Sequence, residues 1–129
     1  MYNDTERRQF IRIPLQVAVS YAFVSTETGA RFGDTFEGNT RNISSGGLLV
    51  EGVLPGLENV GDLLIKRIVL AGEVHLPNDG DPIRFIGRVS WIEDVDEETF
   101  SCTLGVNFQE LTQVDRDRIN QFVIRTTMM

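Results

Sequence analysis

The sequence contains very few of the residues that build covalent cross-links, metal sites or catalytic centres. It has one cysteine, Cys102, and one histidine, His75, so an internal disulfide and the usual spacing of metal ligands are both excluded. Both residues lie in segments patterned as strands, where we expect Cys102 to fill the core and His75 to be exposed or hydrogen-bonded. No pair of nucleophile and base, P-loop or Rossmann glycine pattern is present. We therefore expect no catalytic activity, no metal and no cofactor.

Long apolar runs are also missing. No stretch approaches the roughly 20 apolar residues that cross a bilayer, and the N-terminus lacks the charged and apolar regions of a secretory signal. We expect a cytoplasmic protein without membrane insertion. Because the 129 residues contain no internal repeat and no linker rich in Pro, Gly or Ser, the chain is predicted to form one domain.

Lysine is almost absent, whereas arginine is not. Of 12 basic residues only Lys66 is a lysine, and 19 acidic residues bring the net charge to -7. This balance argues against binding to nucleic-acid polymers or anionic membranes. The positive charge that remains is carried by arginine, whose planar fork binds carboxylates, phosphates and base edges in bidentate fashion. Any anion site is therefore predicted to be local.

Apolar residues recur mostly at a period of two, in segments bounded by Gly, Pro, Asn and Asp, which is typical of strands and turns. The first predicted strand, 14–24, places one set of residues on a single face: Leu15, Val17, Val19, Tyr21 and Phe23. Further strands are predicted at 35–43, 47–52, 63–76, 83–94 and 100–111. The acidic run at 93–98 lacks the alternating ligands and central glycine of a calcium loop, so we interpret it as a solvated hairpin tip.

The last segment has a different period. Thr112 is a suitable N-cap, and the residues that follow lack Gly and Pro and place Ile119, Phe122 and Val123 at helical spacing. We therefore predict a mostly β fold, a six-stranded antiparallel β-barrel at 13–111 with a C-terminal α-helix at 112–127. Residues 1–12 are predicted to form an N-terminal arm.

The arm contains three arginines within six positions, Arg7, Arg8 and Arg12, in the stretch "ERRQFIRIP". Arg8 and Arg12 share a face whether the segment is extended or helical, so both forks can reach one ligand. Pro14 disfavours helix at the preceding residue, which puts the cluster before the first strand. The alternative interpretation of this stretch is a solvated, partly disordered N-terminus. Because the arm has little apolar surface to bury, we expect it to become ordered only when a ligand is bound.

A second polar motif, "NISSGG" at 42–47, lies between two predicted strands. Asn42, Ser44 and Ser45 supply short donors and acceptors, while Gly46 and Gly47 permit positive φ and close approach of a ligand. Such a turn can bind a phosphate or a base edge. Alone, it is equally typical of an ordinary hairpin turn.

Together, the RxxxR arm and the NxSxxG turn some thirty residues later closely resemble the paired motif of the PilZ domain family, bacterial receptors for cyclic di-GMP. The "RVSWIE" strand and "LGVNFQELTQVDRDRINQFV" also resemble the family's closing strand and terminal helix. The sequence departs from the family at Asn42, where many members have Asp, and at Gln9, in a stretch that is often more basic. The resemblance implies a six-stranded barrel that binds cyclic di-GMP through Arg7, Arg8, Arg12, Asn42, Ser44, Gly47 and Trp91. For Trp91, a plain core role is an equal alternative.

The resemblance further implies an adaptor, because one small domain has no segment left for an output function. We expect cyclic di-GMP to change its conformation and the signal to pass to a protein effector, with the protein monomeric or dimerising on ligand binding. One alternative is a degenerate PilZ-like interaction module that does not bind nucleotide. Another is a small barrel that binds single-stranded nucleic acid on aromatic platforms, which the net charge of -7 disfavours.

Overall fold

The computed structural model describes residues 13–14, 16–77 and 80–127. A short 3-10 helix at Leu57–Asn59 precedes the first of two α-helices, α1 at Val60–Leu64 and α2 at Gln113–Thr127. The strands are β1 at Ile13–Pro14, β2 at Ala18–Ser25, β3 at Arg31–Ile43, β4 at Gly47–Val53, β5 at Ile68–His75, β6 at Ile83–Glu93 and β7 at Ser101–Glu110.

Strands β2 to β7 form one closed antiparallel barrel. Their order is β3, β2, β5, β6, β7, β4, and a further pairing between β3 and β4 closes the ring. The two-residue β1 pairs with the end of β3, along the edge that β2 occupies further up the strand. The predicted six-stranded barrel with a C-terminal helix is therefore confirmed.

The predicted first strand is interrupted before Ala18. At Val17 the ladder is replaced by a side-chain bond, because its N–H donates to Thr40 Oγ1 at 2.9 Å while its carbonyl accepts from Thr40 N at 2.9 Å. Leu15 lies outside the described residues. The predicted inward face is otherwise confirmed, since the remaining four residues are at most 3% exposed: Val17, Val19, Tyr21 and Phe23.

The strand predicted at 63–76 was wrong over its first five residues. Leu63 and Leu64 belong to α1, and the strand begins only at Ile68. Short apolar runs fit a helix or a strand equally well by periodicity. Here Leu63 is fully buried where α1 packs against β5 and β6, and Lys66 turns the chain through a φ of 67°. The residues just before Leu63 include Gly61 and Asp62, which are residue types typical of turns, yet they belong to the same helix.

The C-terminal helix follows its prediction closely. The Thr112 hydroxyl accepts a hydrogen bond from Asp115 N at 3.1 Å, which is the expected N-cap. Ile119 and Val123 are buried against the barrel, and Phe122 packs beside them. The helix therefore binds the barrel through one apolar stripe and leaves its other faces for polar contacts.

The remaining residues singled out by the sequence also have clear positions. Cys102 is buried in the core and His75 is exposed at the end of β5, as expected. The acidic tip at 93–98 is exposed, and Asp96 Oδ1 accepts bonds from Glu98 N and Thr99 N at 2.8 and 3.2 Å. These bonds hold the pKa of Asp96 below its ordinary value. The tip is a hydrogen-bonded turn exposed to solvent.

Candidate ligand-binding face

The predicted site residues divide into two groups. Arg7, Arg8 and Arg12 lie outside the described residues, so their assignment stays a prediction. The other predicted residues, Asn42, Ser44, Gly47 and Trp91, lie at the β3–β4 turn and on β6.

Strand register connects Asn42 to Trp91 in one line across the barrel. Asn42 is opposite Leu49, Leu49 is opposite Gly105, and Gly105 is opposite Trp91. Directly opposed residues point to the same side of a sheet. The adjacent line points inward, because its members are at most 1% exposed: Ile43, Leu48, Val106 and Val89. The four residues from Asn42 to Trp91 therefore lie on the outer surface, and we call them the site face.

Trp91 covers the middle of this face. Its side chain is 39% exposed, and a Cβ added at Gly105 would overlap the indole ring. The ring therefore lies directly over Gly105, beside the half-buried Leu49. Three strand spacings, about 15 Å along the barrel wall, separate Asn42 from Trp91. The site face thus follows the convex outer surface across four neighbouring strands, with an amide at one end and an aromatic ring at the other.

Asn42 contains an unsatisfied polar atom. Its Oδ1 is buried and has no hydrogen-bond partner among the residues that the structure describes. Buried acceptors are nearly always paired, and leaving one unpaired costs about 1–3 kcal/mol. The Asn42 carbonyl oxygen is therefore suited to accept an N–H donor from a ligand.

Ser44 closes the turn that follows Asn42. Its fully buried hydroxyl accepts from Gly46 N at 3.2 Å and donates to the Gly47 carbonyl at 3.3 Å, and its own N–H donates to the same carbonyl at 2.9 Å. The side chain thus stabilises the shape of the turn. Its predicted contact with a ligand stays a prediction.

Gly47 is needed for the approach of a neighbouring strand. A Cβ at this position would overlap the carbonyl oxygen of Val106 on β7, and backbone atoms cannot move aside. The sequence suggested that Gly46 and Gly47 permit positive φ, but neither is among the glycines that adopt it. The absence of a side chain, rather than left-handed backbone, explains glycine at this position.

Two contacts from other elements anchor the turn. Phe108 N on β7 donates to the Gly46 carbonyl at 2.9 Å. Arg116 Nη1, from the first turn of α2, donates to the Ser45 carbonyl at 2.5 Å. Sequence reasoning missed Arg116, because this contact spans 71 residues and the alternating charges around it are typical of any exposed helix. The turn is held from two sides and connected directly to α2.

The rows that flank the site face differ in charge. On one side, the line from Asn39 through Glu51 and Thr103 ends at Glu93. On the other side, a line joins Gly47, Asn107 and Arg88, which face outward like Leu49 and Gly105. None of these three residues is a carboxylate. The site face therefore has an acidic edge and a basic edge.

The barrel and its terminal helix define a small six-stranded β-barrel domain that carries an NxSxxG turn. The chain matches the sequence model of the PilZ domain over residues 6–125, and it therefore belongs to the PilZ domain family. Members of this family are cyclic di-GMP receptors rather than enzymes in general. Comparison with curated protein sequences finds no match.

Solved structures share the fold. MrkH of K. pneumoniae in complex with cyclic di-GMP superposes with a TM-score of 0.67 at 18% identity over 95% of this chain and 52% of that one. The inhibitor of motility MotI/DgrA of Bacillus subtilis superposes with a TM-score of 0.65 at 19% identity, over 95% of this chain and 52% of that one. The PilZ domain of YcgR from Escherichia coli, solved with cyclic di-GMP, superposes with a TM-score of 0.56 at 14% identity, over 93% of this chain and 90% of that one. This chain thus spans about half the length of MrkH and of MotI/DgrA.

In the described part of the chain, no helix has the length and apolar character required to span a bilayer. Over the same residues, no three metal-binding side chains come together.

Proposed function

We propose that this protein is a cyclic di-GMP receptor that changes conformation on binding and relays the signal to a partner protein. The observation that carries the proposal is the buried Oδ1 of Asn42, at the first position of the NxSxxG motif, which no residue in the described part of the chain hydrogen-bonds. Membership of the PilZ family supports it. The relatives YcgR and MrkH, whose structures contain cyclic di-GMP, support it as well.

The chemistry of the ligand matches the groups on this face. Guanine has N–H donors at N1 and N2 that suit the Asn42 oxygen, and its O6 and N7 are adjacent acceptors that suit an arginine fork. Arg8 and Arg12 would bind guanine and phosphate from the arm, with Arg7 as an additional contact. In the turn, Ser44 and Gly47 would keep backbone groups in position, and Trp91 would provide an aromatic surface for stacking.

The proposed signal is closure of the arm. A dianionic ligand at the turn would give the three arm arginines a charge on which to converge, and the closed arm would create a new surface for a protein effector. The proposed protein is cytoplasmic and acts as a monomer or a ligand-dependent dimer. It does not bind nucleic-acid polymers, because its net charge is -7.

The direct test is calorimetric titration with cyclic di-GMP, alongside cyclic di-AMP and GTP. We expect selective binding of cyclic di-GMP, and the stoichiometry reports whether one ligand or a pair is bound. Arg8→Ala and Arg12→Ala should each weaken binding at least tenfold, the equivalent of about 1.4 kcal/mol, with an unchanged melting temperature. If the parent protein binds none of the three nucleotides, the degenerate interaction module is the correct interpretation.

A second titration examines Asn42 itself. Asn42→Asp should preserve or tighten binding, because a carboxylate is a stronger acceptor for guanine donors. Asn42→Ala should weaken binding about tenfold without loss of stability, because the acceptor has no partner among the residues that the structure describes. Asn39→Ala is the matched control, since Asn39 is exposed on the same strand and face. Strong weakening by Asn42→Asp would show that Asn42 does not face guanine.

Hydrogen exchange on residues 1–12 tests the proposed closure. We expect these amides to gain protection when cyclic di-GMP is added at saturating concentration. Protection that is equally strong without ligand, or no gain on binding, would show that the arm is not the switch.

A further inference from the structure

Arg88 is a half-buried arginine with no partner. It lies on β6 opposite Asn107, which is itself opposite Gly47, so Arg88 faces outward one row from Trp91. Its guanidinium makes no hydrogen bond and no ion pair with any residue that the structure describes. The neighbouring Asn107 amide is already used, because it donates to Ser90 Oγ at 2.5 Å.

Other described cations near the site are engaged. Arg41 pairs with Glu51 at 3.6 Å, and Arg116 donates to the Ser45 carbonyl. Lys66 and Arg67 lie beside Ile68, the first residue of β5, whereas the Asn42 turn lies near the opposite end of that strand. On the site face and its flanking rows, Arg88 is therefore the described arginine whose charge is available to a ligand.

The charges of the flanking rows indicate where an anion would lie. Glu51 and Glu93 occupy the row on one side of the site face, and Glu93 is exposed. Because Glu51 is paired with Arg41, Glu93 is the carboxylate that would repel an anion on that side. A ligand that places guanine on Asn42 would therefore direct its phosphate toward the Gly47 and Arg88 row. About 10 Å, two strand spacings, separates the Cα atoms of Gly47 and Arg88, a gap that an arginine side chain and a ligand bridge together.

We propose that Arg88 is a further ligand-binding residue, which contacts a phosphate of cyclic di-GMP from β6. Arg88 lies outside both the RxxxR and the NxSxxG motif. This inference rests on the proposed function and adds a residue to the same site.

The test compares three variants by titration with cyclic di-GMP. Arg88→Ala should weaken binding at least tenfold, because a charge-assisted contact is lost. Arg88→Lys should lose less affinity than Arg88→Ala, because lysine keeps the positive charge that attracts a phosphate although it lacks the bidentate fork. Arg84→Ala should bind like the parent, since Arg84 faces outward on the same strand but pairs with Glu73 at 3.2 Å on another side of the barrel. Melting temperatures of the three variants verify the fold.

Each outcome separates this inference from the proposed function. If the parent does not bind cyclic di-GMP, both are overturned. If the parent binds and Arg88→Ala binds equally well, only the role of Arg88 is overturned. If Arg88→Lys binds as weakly as Arg88→Ala, the positive charge at this position contributes nothing by itself, and the assignment to a phosphate is wrong. Weakening by Ala, rescue by Lys and no effect of Arg84→Ala would support the inference.

Discussion

The barrel has two outer surfaces that differ in shape and in chemistry. The site face, from Asn42 to Trp91, follows the convex outer surface of four neighbouring strands. On another side, the outward row Ala22, Ala71 and Ile86 lines an apolar groove of about 720 Å³. By size alone, this groove resembles a small-molecule pocket more closely than the site face does.

The polar groups of the two surfaces favour the opposite conclusion. At the rim of the groove, Arg84 pairs with Glu73 at 3.2 Å, and Arg31 donates to Thr35 Oγ1 at 2.5 Å. Within the described ranges, the site face instead contains an acceptor without a partner, Asn42 Oδ1, and adjoins an arginine without a partner, Arg88. A concave surface shows only that there is room for a ligand. Unpaired polar groups indicate which ligand chemistry is missing, and for this reason we propose the site face rather than the groove.

The variant with the largest expected effect on stability adds one methyl group at Gly47. Because the new Cβ would overlap backbone of β7, Gly47→Ala should destabilise the fold by about 3 kcal/mol. Gly61→Ala is the matched control, since nothing lies within 4 Å of a Cβ at Gly61 in α1, and alanine favours helix. Thermal and urea unfolding measure both variants. A parental melting temperature for Gly47→Ala would mean that β4 and β7 can move apart.

High pH should affect the core beneath the groove rather than the site face. The Tyr21 hydroxyl donates to the Val53 carbonyl at 2.9 Å and accepts from Val53 N at 2.7 Å, and burial raises the pKa of Tyr21 to about 12. Burial also raises the pKa of Cys102 to about 11. Both side chains are buried in their neutral forms. Their contribution to the free energy of unfolding is complete below the ordinary pKa values, 9.0 for Cys102 and 10.0 for Tyr21, and it is lost as the pH rises through about 11 and about 12, respectively.

The expected result is a free energy of unfolding that falls by about 3 kcal/mol between pH 9 and pH 12. Urea unfolding at several pH values measures it. Tyr21→Phe should be less stable at neutral pH, because both Val53 backbone groups lose their partner, and it should show a smaller alkaline loss. An unchanged free energy up to pH 12 would contradict the burial of both groups.

The smallest expected effect is a change in the fluorescence emission of Trp91 on the site face. Trp91 is the only tryptophan and is 39% exposed, so its emission reports this surface alone. Cyclic di-GMP should quench or shift the emission by a few tens of per cent or a few nanometres, an order-of-magnitude expectation for a ring that loses contact with water. Arg8→Ala at the same ligand concentration is the control. Unchanged emission at saturating ligand would exclude Trp91 from the contact surface.

Local patterns predicted much of the fold. The period of two in residues 17–23 and the Thr112 cap both depend on neighbours along the chain, and both were confirmed. Two predictions failed where a distant contact decided the outcome. The first strand breaks at Val17 because Thr40 replaces a ladder bond. The segment at Leu63 becomes helical because that side chain is buried against β5 and β6, and apolar periodicity cannot distinguish the two states.

The barrel class, the terminal helix and the two motifs of the PilZ family can all be read from the sequence. Only the tertiary structure decided which residues share a surface. The line from Asn42 to Trp91 depends on the register of three strand pairs, and a shift of one residue would turn each side chain to the opposite face. The bond from Arg116 to the turn joins residues 71 positions apart. Such contacts arise only when the barrel closes, because strand pairing is set by packing across the whole core rather than by local propensity.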